Sequence, residues 1–313
     1  MPNTPITVED ARNARGRLTG VIRATPTLPS YRSGLFLKAE NLQVTGSFKV
    51  RPAYSQVSLL PDSLRSKGIV TSSSGNFAQA TAYAAGKLGT SAKIVMMESS
   101  NPLKVDRTRQ LGGAVIFCED RFEARSQTVD EIVSKEGRHP IHPYDDAAAI
   151  AGNGTIALEV LEQCPEVQHI VVPISGGGLI AGIALVAKKI NPGIHIWGVQ
   201  AEGSNATYLS FKKGVRCSIE KPHTIADGLT VARPGQLTFP VIQKFVDGVE
   251  TVQEDTIFAA VRHFIEVERL VVEPSGAVTL AAILEGKLPV DRTVLVLSGG
   301  NVAPSILKEL FGT

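Results

Sequence analysis

Val171-Val172-Pro173-Ile174-Ser175-Gly176-Gly177-Gly178-Leu179-Ile180-Ala181-Gly182 runs from an apolar, β-branched stretch through three glycines into a segment of helical period. A strand apolar on both faces belongs in a parallel sheet covered by helices on each side. Three glycines at its end let the backbone come close to an anion, and the dipole of the helix that follows adds attraction. A tight turn with φ > 0 would need one glycine, not three. The same alternation continues on both sides of this stretch. Strands are expected at 35–38, 69–71, 93–97, 114–117, 169–173, 195–200 and 294–297. Helices are expected at 77–88, 102–111, 124–136, 155–163, 179–190 and 255–268, with Asp62, Pro102 and Pro192-Gly193 as start and stop signals. The chain has no repeats, low-complexity tracts or long linker. The fold class predicted is α/β, doubly wound and mostly parallel, with ligands bound where strands lead into helices.

Composition narrows the function. At 313 residues the chain suits one large domain or two interlocked ones. Charged residues are 20% and the net charge is +2, with no basic or acidic block, so neither nucleic acid nor a membrane surface is an expected partner. Met1-Pro2-Asn3-Thr4-Pro5-Ile6 lacks the layout of a signal peptide, and the apolar run 179–187 is far short of the ~18 residues that span a bilayer. Cys118, Cys164 and Cys217 are too few and too scattered for a disulfide framework or a zinc site, which points to a reducing, cytoplasmic setting. His139 and His142 lie close together but without the helical context of a metal pair, and read as loop histidines.

Two further junctions carry chemistry. Ser72-Ser73-Ser74-Gly75-Asn76-Phe77 follows Ile69-Val70-Thr71 and opens a helix, placing small hydroxyls and free backbone N–H groups where a carboxylate or phosphate is attracted. The plainer alternative is an N-cap with redundant serines. Val294-Leu295-Val296-Leu297 ends in Ser298-Gly299-Gly300-Asn301, whose hydroxyl either meets a ligand or caps the last helix. Gly176-x-Gly178-x-x-Ala181 also fits a dinucleotide fingerprint, with Glu202 after the next strand as ribose acid, so a nicotinamide-dependent oxidoreductase is the reading from another class. Gly152-x-Gly154-x-x-Ala157 imitates it more weakly, since no strand precedes it. The nicotinamide reading leaves one stretch unexplained: Thr45-Gly46-Ser47-Phe48-Lys49, just before a helix-like segment. A lysine there can be a buried amine, and desolvation turns such an amine into a nucleophile near neutral pH.

Together these motifs resemble the fold-type-II enzymes of pyridoxal 5′-phosphate, in the serine/threonine dehydratase and serine racemase family. The likeness spans nearly the whole chain. Thr45-Gly46-Ser47-Phe48-Lys49 looks like the family's Schiff-base motif, Ser73-Ser74-Gly75-Asn76 like its substrate loop and Gly176-Gly177-Gly178-Leu179 like its phosphate loop. Ser298-Gly299-Gly300-Asn301 resembles the segment that meets the pyridine nitrogen. Minor matches are 151–155, Ile225-Ala226-Asp227-Gly228 and Val272-Glu273-Pro274-Ser275-Gly276. The resemblance implies a large cofactor-binding domain (1–67 plus 145–313), a small substrate-loop domain (68–144) and a homodimer. It implies that Lys49 carries the cofactor and acts as general base on Cα. Phe48, Asn76, Ser175, Gly176, Gly177, Gly178, Leu179, Gly228, Glu273 and Ser298 would surround that cofactor. Ser73, Ser74, Gly75, Asn76 and Phe77 would receive a small amino-acid substrate, with Ser74 in the place of the racemases' second base. The reaction implied is β-elimination from a β-hydroxy amino acid to a 2-oxo acid and ammonia, with serine racemisation as the alternative. A hydroxyl at Ser298 cannot supply a full proton to the ring nitrogen, which favours elimination.

The departures from the family pattern are informative. Phe77 stands where many relatives have histidine, which suggests an apolar or bulky substrate such as phenylserine, or else a core phenylalanine. Glu202 and Ala206 match a divalent-cation site of the racemases, but Tyr208 replaces its aspartate and is a poor ligand for a hard cation. Leu111 replaces the tyrosine of their nucleotide-effector site. The chain ends soon after Asn301, so a C-terminal regulatory domain is not expected.

Overall fold

Two sheets organise the chain in this computed structural model, which describes residues 6–312. The Met1–Pro5 stretch, read above for signal-peptide character, lies outside the described residues. The strands are β1 (Thr27–Pro29), β2 (Leu35–Lys38), β3 (Ile69–Ser72), β4 (Ala92–Met97), β5 (Ala114–Cys118), β6 (His139–Pro140), β7 (His169–Pro173), β8 (His195–Ala201), β9 (Gly248–Val252) and β10 (Thr293–Val296). The larger sheet has the order β1-β2-β10-β7-β8-β9 and the smaller β5-β4-β3-β6. Every pairing is parallel except that of β1 with β2, so the predicted α/β class holds, with one antiparallel edge.

The pleat of a strand sends alternate side chains to opposite faces, and the larger sheet uses both. Ile170 and Val172 of β7, with Val294 and Val296 of β10, enter one core beneath the Gly178–Ile190 helix. Val171 and Leu295 enter the other, beneath the Pro274–Leu284 helix. Each such fully buried side chain contributes about 1.5–3 kcal/mol relative to exposure. This two-sided demand is why β7 and β10 read as continuous apolar runs.

The smaller sheet sends Ile69, Ile94 and Met96 against the Asn76–Lys87 helix, and Val70 and Val95 against the Phe122–Glu136 helix. Val50, Ala53, Tyr54 and Val57, from the Val50–Ser58 helix, belong to the first of these cores. The opposite side of the same helix meets the Ala147–Gln163 helix, so it is shared between the two sheets.

Some elements differ from expectation. The helix expected from Thr155 begins at Ala147, because Asp146 caps it by accepting from the Ala149 N–H at 2.9 Å. Gly152 and Gly154 therefore lie inside a helix, where they permit contact with neighbouring helices. A Cβ at Gly152 would meet Ser55 Oγ at 2.5 Å, and one at Gly154 would meet Val186 Cγ2 at 2.8 Å. β1, β6 and β9 were not anticipated, nor was the Val8–Leu18 helix, which opens with a capping box between Thr7 and Asp10. No helix among the described residues is long and apolar enough to cross a membrane.

Candidate active site

Lys49 is the residue that starts the Val50–Ser58 helix, and the loop before it is pinned to the end of β10. Ser47 bridges to Gly299, the Phe48 N–H donates to the Ser298 carbonyl at 3.0 Å, and the Gly300 N–H donates to the Gly46 carbonyl at 2.8 Å. Gly46 has φ +72, and a Cβ there would press on the Asn301 amide, so this close approach requires glycine. The sequence thus places Lys49 and Ser298 on adjoining backbone although they are far apart along the chain.

The Lys49 side chain is half-buried. Its Nζ lies 4.8 Å from the centre of the Phe48 ring and 6.0 Å from that of Phe77, and donates to the Pro143 carbonyl at 3.3 Å. Desolvation lowers its pKa from the usual lysine value to about 8, against the opposing pull of the Glu273 carboxylate. Glu273 is buried and moves the other way. Burial, then the nearby Asp227 carboxylate, push it up to about 7, although Lys104, Asn76 and Lys49 each favour its charged form. Two desolvated groups of opposite type thus both have proton affinities drawn toward neutral pH, as functional sites often arrange.

Asn76, the first residue of its helix, joins these pieces. It donates from Nδ2 to Glu273 at 2.7 Å and accepts at Oδ1 from Asn301 Nδ2 at 2.9 Å. Asn301 Nδ2 also donates to the Thr45 carbonyl at 3.0 Å. Within the preceding loop the Gly75 N–H donates to Ser73 Oγ at 3.3 Å, and Ser74 Oγ lies 2.8 Å from Ser100 Oγ. Phe77 is 2% exposed and packs in the core of the smaller sheet, so the core alternative holds while its ring still borders the Lys49 amine.

The triple glycine forms a cradle under Tyr144. A Cβ at Gly176 would strike the Tyr144 ring, one at Gly178 would meet the Tyr144 carbonyl at 2.7 Å, and Gly177 holds φ +97. Thr238 Oγ1 donates to the Gly176 carbonyl at 2.6 Å and Thr207 Oγ1 to that of Ser175 at 3.0 Å. The helix from Gly178 has no side-chain cap, which leaves the N–H groups of its first turn without intrahelical acceptors. Leu179 is buried beneath it. Pro143 and Tyr144 link this cradle to Lys49. Neither was singled out from sequence, and the only signal was their place before the Asp145-Asp146 pair. Asp145 accepts from the N–H groups of Gln236 and Leu237 at 2.7 and 2.8 Å, and His142 Nδ1 accepts from those of Tyr144 and Asp145. His142 is therefore a loop brace.

Glu273 stands just before the Pro274–Leu284 helix without a side-chain capping bond, and its N–H donates to the Gly299 carbonyl at 2.9 Å. The Gly228 N–H donates to Ser275 Oγ at 3.0 Å. Of the proposed cation site, Glu202 is exposed, the Ala206 carbonyl accepts from Ser210 Oγ at 2.7 Å, and the Tyr208 N–H donates to Gln200 Oε1 at 2.8 Å. No group of three or more His, Cys, Asp or Glu side chains placed for a metal occurs among the described residues.

An aldehyde that carries a phosphate fits this donor set. The triple glycine opens an uncapped helix whose first N–H groups are free to meet a phosphate, and Lys49 supplies an amine with lowered proton affinity. Ser47 Oγ is buried without a partner beside it. A match to the family of pyridoxal-phosphate dependent enzymes covers residues 18–299. The chain is 39% identical to the catabolic L-threonine dehydratase TdcB of Escherichia coli, over 98% of this chain and 97% of that one. It is 38% identical to an L-threonine ammonia-lyase of Thermotoga maritima, over 97% of this chain and 78% of the relative. The structure of maize serine racemase superposes with a TM-score of 0.94 at 37% identity, covering 98% of this chain and 97% of that one. These likenesses set aside the nicotinamide reading of the 176–181 turn. The chain belongs to the family of pyridoxal-phosphate dependent enzymes, and pyridoxal 5′-phosphate is its cofactor.

Proposed function

We propose that this chain is a hydroxy-amino-acid dehydratase, which converts serine, threonine or a bulkier analogue to a 2-oxo acid and ammonia by β-elimination. The observation that carries this reading is the neighbourhood of Lys49: an amine with its pKa lowered to about 8, and a serine rather than a carboxylate on the adjoining backbone. The near full-length likeness to threonine dehydratases supports it.

When bound, pyridoxal 5′-phosphate withdraws electrons from the Cα of an attached amino acid and acidifies its proton. Lys49 Nζ takes that proton as general base, and its lowered pKa leaves a useful fraction unprotonated near neutral pH. The backbone of Ser73, Ser74 and Gly75 at the helix N-terminus receives the substrate carboxylate. Gly176 to Leu179 would hold the cofactor's phosphate, and Ser175, Phe48 and Gly228 would complete the walls. Asn76, oriented by Glu273 and Asn301, would hydrogen-bond the cofactor ring. Ser298 would meet the cofactor's ring with a hydroxyl in place of a carboxylate, which would supply a weaker electron sink and so favour elimination.

Division into a large domain (1–67 plus 145–313) and a small one (68–144), a homodimer and a cytoplasmic setting accompany this reading. Phenylserine is the finer substrate proposal, because the Phe77 ring borders the Lys49 amine. Comparing serine, threonine and phenylserine turnover tests it, and a clear preference for serine rejects it. Racemisation is a second reading, favoured by the Ser74–Ser100 hydroxyl pair. D-product from an L-substrate in deuterated buffer supports it, whereas solvent label without inversion counts against it. The main proposal is tested by a yellow chromophore that borohydride bleaches, leaving cofactor mass on the Lys49 peptide, and by 2-oxo acid release from a β-hydroxy amino-acid panel. Undiminished turnover by Lys49→Ala overturns it.

A further inference from the structure

Behind Lys49 the structure buries four charges that the proposed chemistry does not use. Arg51, two residues further along, is fully buried and uses both edges of its guanidinium. Nε and Nη2 donate to the two oxygens of Glu40 at 2.9 and 2.8 Å. Nη1 and Nη2 donate to the two oxygens of Glu159 at 2.7 and 2.9 Å, and Nη1 also donates to Thr155 Oγ1 at 2.9 Å. Lys38 Nζ, equally buried, donates to Glu159 at 2.6 Å and to the Thr25 carbonyl at 2.5 Å. The Thr25 hydroxyl donates to Glu40. Two cations and two carboxylates thus form a closed, neutral cluster between the end of β2, the turn after it, the Val50–Ser58 helix and the Ala147–Gln163 helix.

We propose that Arg51 is a positioning residue: the two carboxylates grip its fork and so fix the rotation of the helix that presents Lys49 to the cleft. This rests on the reading of Lys49 as the reactive amine. Residues two apart in a helix point about 200° apart, so a side chain anchored in the core at Arg51 aims Lys49 the opposite way. Lys49 itself has helical backbone angles, φ −59 and ψ −18, so the relation holds across the boundary. Helix formation does not explain Arg51, because a cation in the first turn opposes the helix dipole. Stability does not explain it either, since apolar residues of similar volume often serve as well as a buried ion cluster. A planar fork matched to two carboxylates differs from an apolar side chain in one respect: it accepts a single orientation.

Arg51→Lys keeps the charge and loses the fork. In the apo protein, peptide-resolved competitive acetylation against pH reads the proton affinity of Lys49 directly. The groups that face its amine are Glu273 and His142, both untouched by the substitution. Rotation of the helix relieves desolvation, so the Lys49 midpoint is expected to rise from about 8 by about one pH unit in folded Arg51→Lys. In enzyme loaded with pyridoxal 5′-phosphate, kcat is expected to fall about 100-fold with KM little changed, as for a misplacement on the order of 1 Å. Glu40→Gln retains the shape and one acceptor oxygen, and should give a smaller shift in the same direction; it serves as the test if Arg51→Lys does not fold. A folded variant with lower thermal stability but unchanged acetylation profile and kcat overturns the proposal and leaves the cluster a purely structural role. If borohydride places no cofactor on Lys49 in the unaltered enzyme, the function reading fails, while the acetylation shift still decides the positioning.

Discussion

Glu40 and Glu273 are both buried glutamates, each within reach of the lysine helix, and they are treated in opposite ways. Burial pushes Glu40 up, but the Arg51 guanidinium, together with Lys38 and the Thr25 hydroxyl, more than offsets this and holds it below the usual carboxylate range. Burial pushes Glu273 up as well, and the neighbouring Asp227 carboxylate adds to the rise, to about 7. Glu40 has a bidentate cation; Glu273 has an amide, Asn76, and more distant charges. The same desolvation therefore yields a fixed anion in one place and a titrating acid in the other. Full pairing makes a scaffold, and partial pairing makes a site that responds to pH.

The largest effect should come from breaking the paired side. Glu40→Ala leaves Arg51 with one carboxylate fewer in a dry environment, and removing one partner of a buried pair costs about 3–5 kcal/mol. Urea unfolding at neutral pH should show that loss. A loss under ~1 kcal/mol would mean that water or Glu159 takes over, and the contrast with Glu273 would lose its basis.

The titrating side makes a signed prediction. The folded state holds a proton on Glu273 up to about pH 7, whereas an unfolded glutamate releases it near its ordinary value. Between those two pH values the folded chain binds more protons, so this group's contribution to stability is complete at the acid end and is lost as pH rises to 7. Its size is on the order of 3 kcal/mol. Glu273→Gln should therefore flatten this part of the apo-protein's stability profile between pH 4.5 and 7, measured by denaturant midpoints. An unchanged slope would show that Glu273 is ionised throughout.

Asn76 separates hydrogen bonding from burial. Its bond favours the charged form of Glu273, so Asn76→Ala should move the Glu273 midpoint further above 7. A hydrogen bond to a charged group is worth about 1.5–3 kcal/mol, which corresponds to about one to two pH units. Infrared titration of the carboxyl band, with Glu273→Gln as reference, reads the shift. A fall in the midpoint would refute this account of the amide.

The two regions also differ in how far they could be read from sequence. The strand-to-glycine-to-helix stretch at 171–182 announced itself, because two-sided burial forces a continuous apolar run and a close approach forces glycine. Asn76 and Ser298 stand at such junctions, Lys49 is marked by the Gly-Ser-Phe before it, Glu273 is marked only by the family resemblance, and the fold brings these four to one place. The four-charge cluster left no such trace. Lys38 and Glu159 are 121 positions apart, and nothing local distinguishes a charge destined for the core from a solvated one. Tyr144 was missed for a similar reason: its role against the cradle lies in tertiary contact, with no local periodicity to mark it. Gly152 and Gly154 read as a weak imitation of a dinucleotide fingerprint, yet they sit in mid-helix because helix-to-helix contact there outweighs the roughly 1 kcal/mol that each costs.

The smallest expected effect on stability is also the most specific on titration. Lys104, from the Pro102–Gln110 helix beside the smaller sheet, forms an ion pair with Asp227 of the short Asp227–Leu229 helical turn, near the surface. Exposed pairs of this kind contribute about 0.2–1 kcal/mol, so Asp227→Asn should hardly change the unfolding midpoint at neutral pH. It should nevertheless lower the Glu273 midpoint below 7, because the Asp227 carboxylate is the largest contributor to its rise after burial itself. Lys104→Met should act in the opposite direction, since the Lys104 ammonium favours ionised Glu273. The two substitutions break the same surface pair, so each loses little from the pair itself, and they shift one buried carboxyl in opposite directions. Shifts of the same sign would mean that the Lys104–Asp227 pair acts on Glu273 through the position of the backbone, and that charge at this distance does not set its proton affinity.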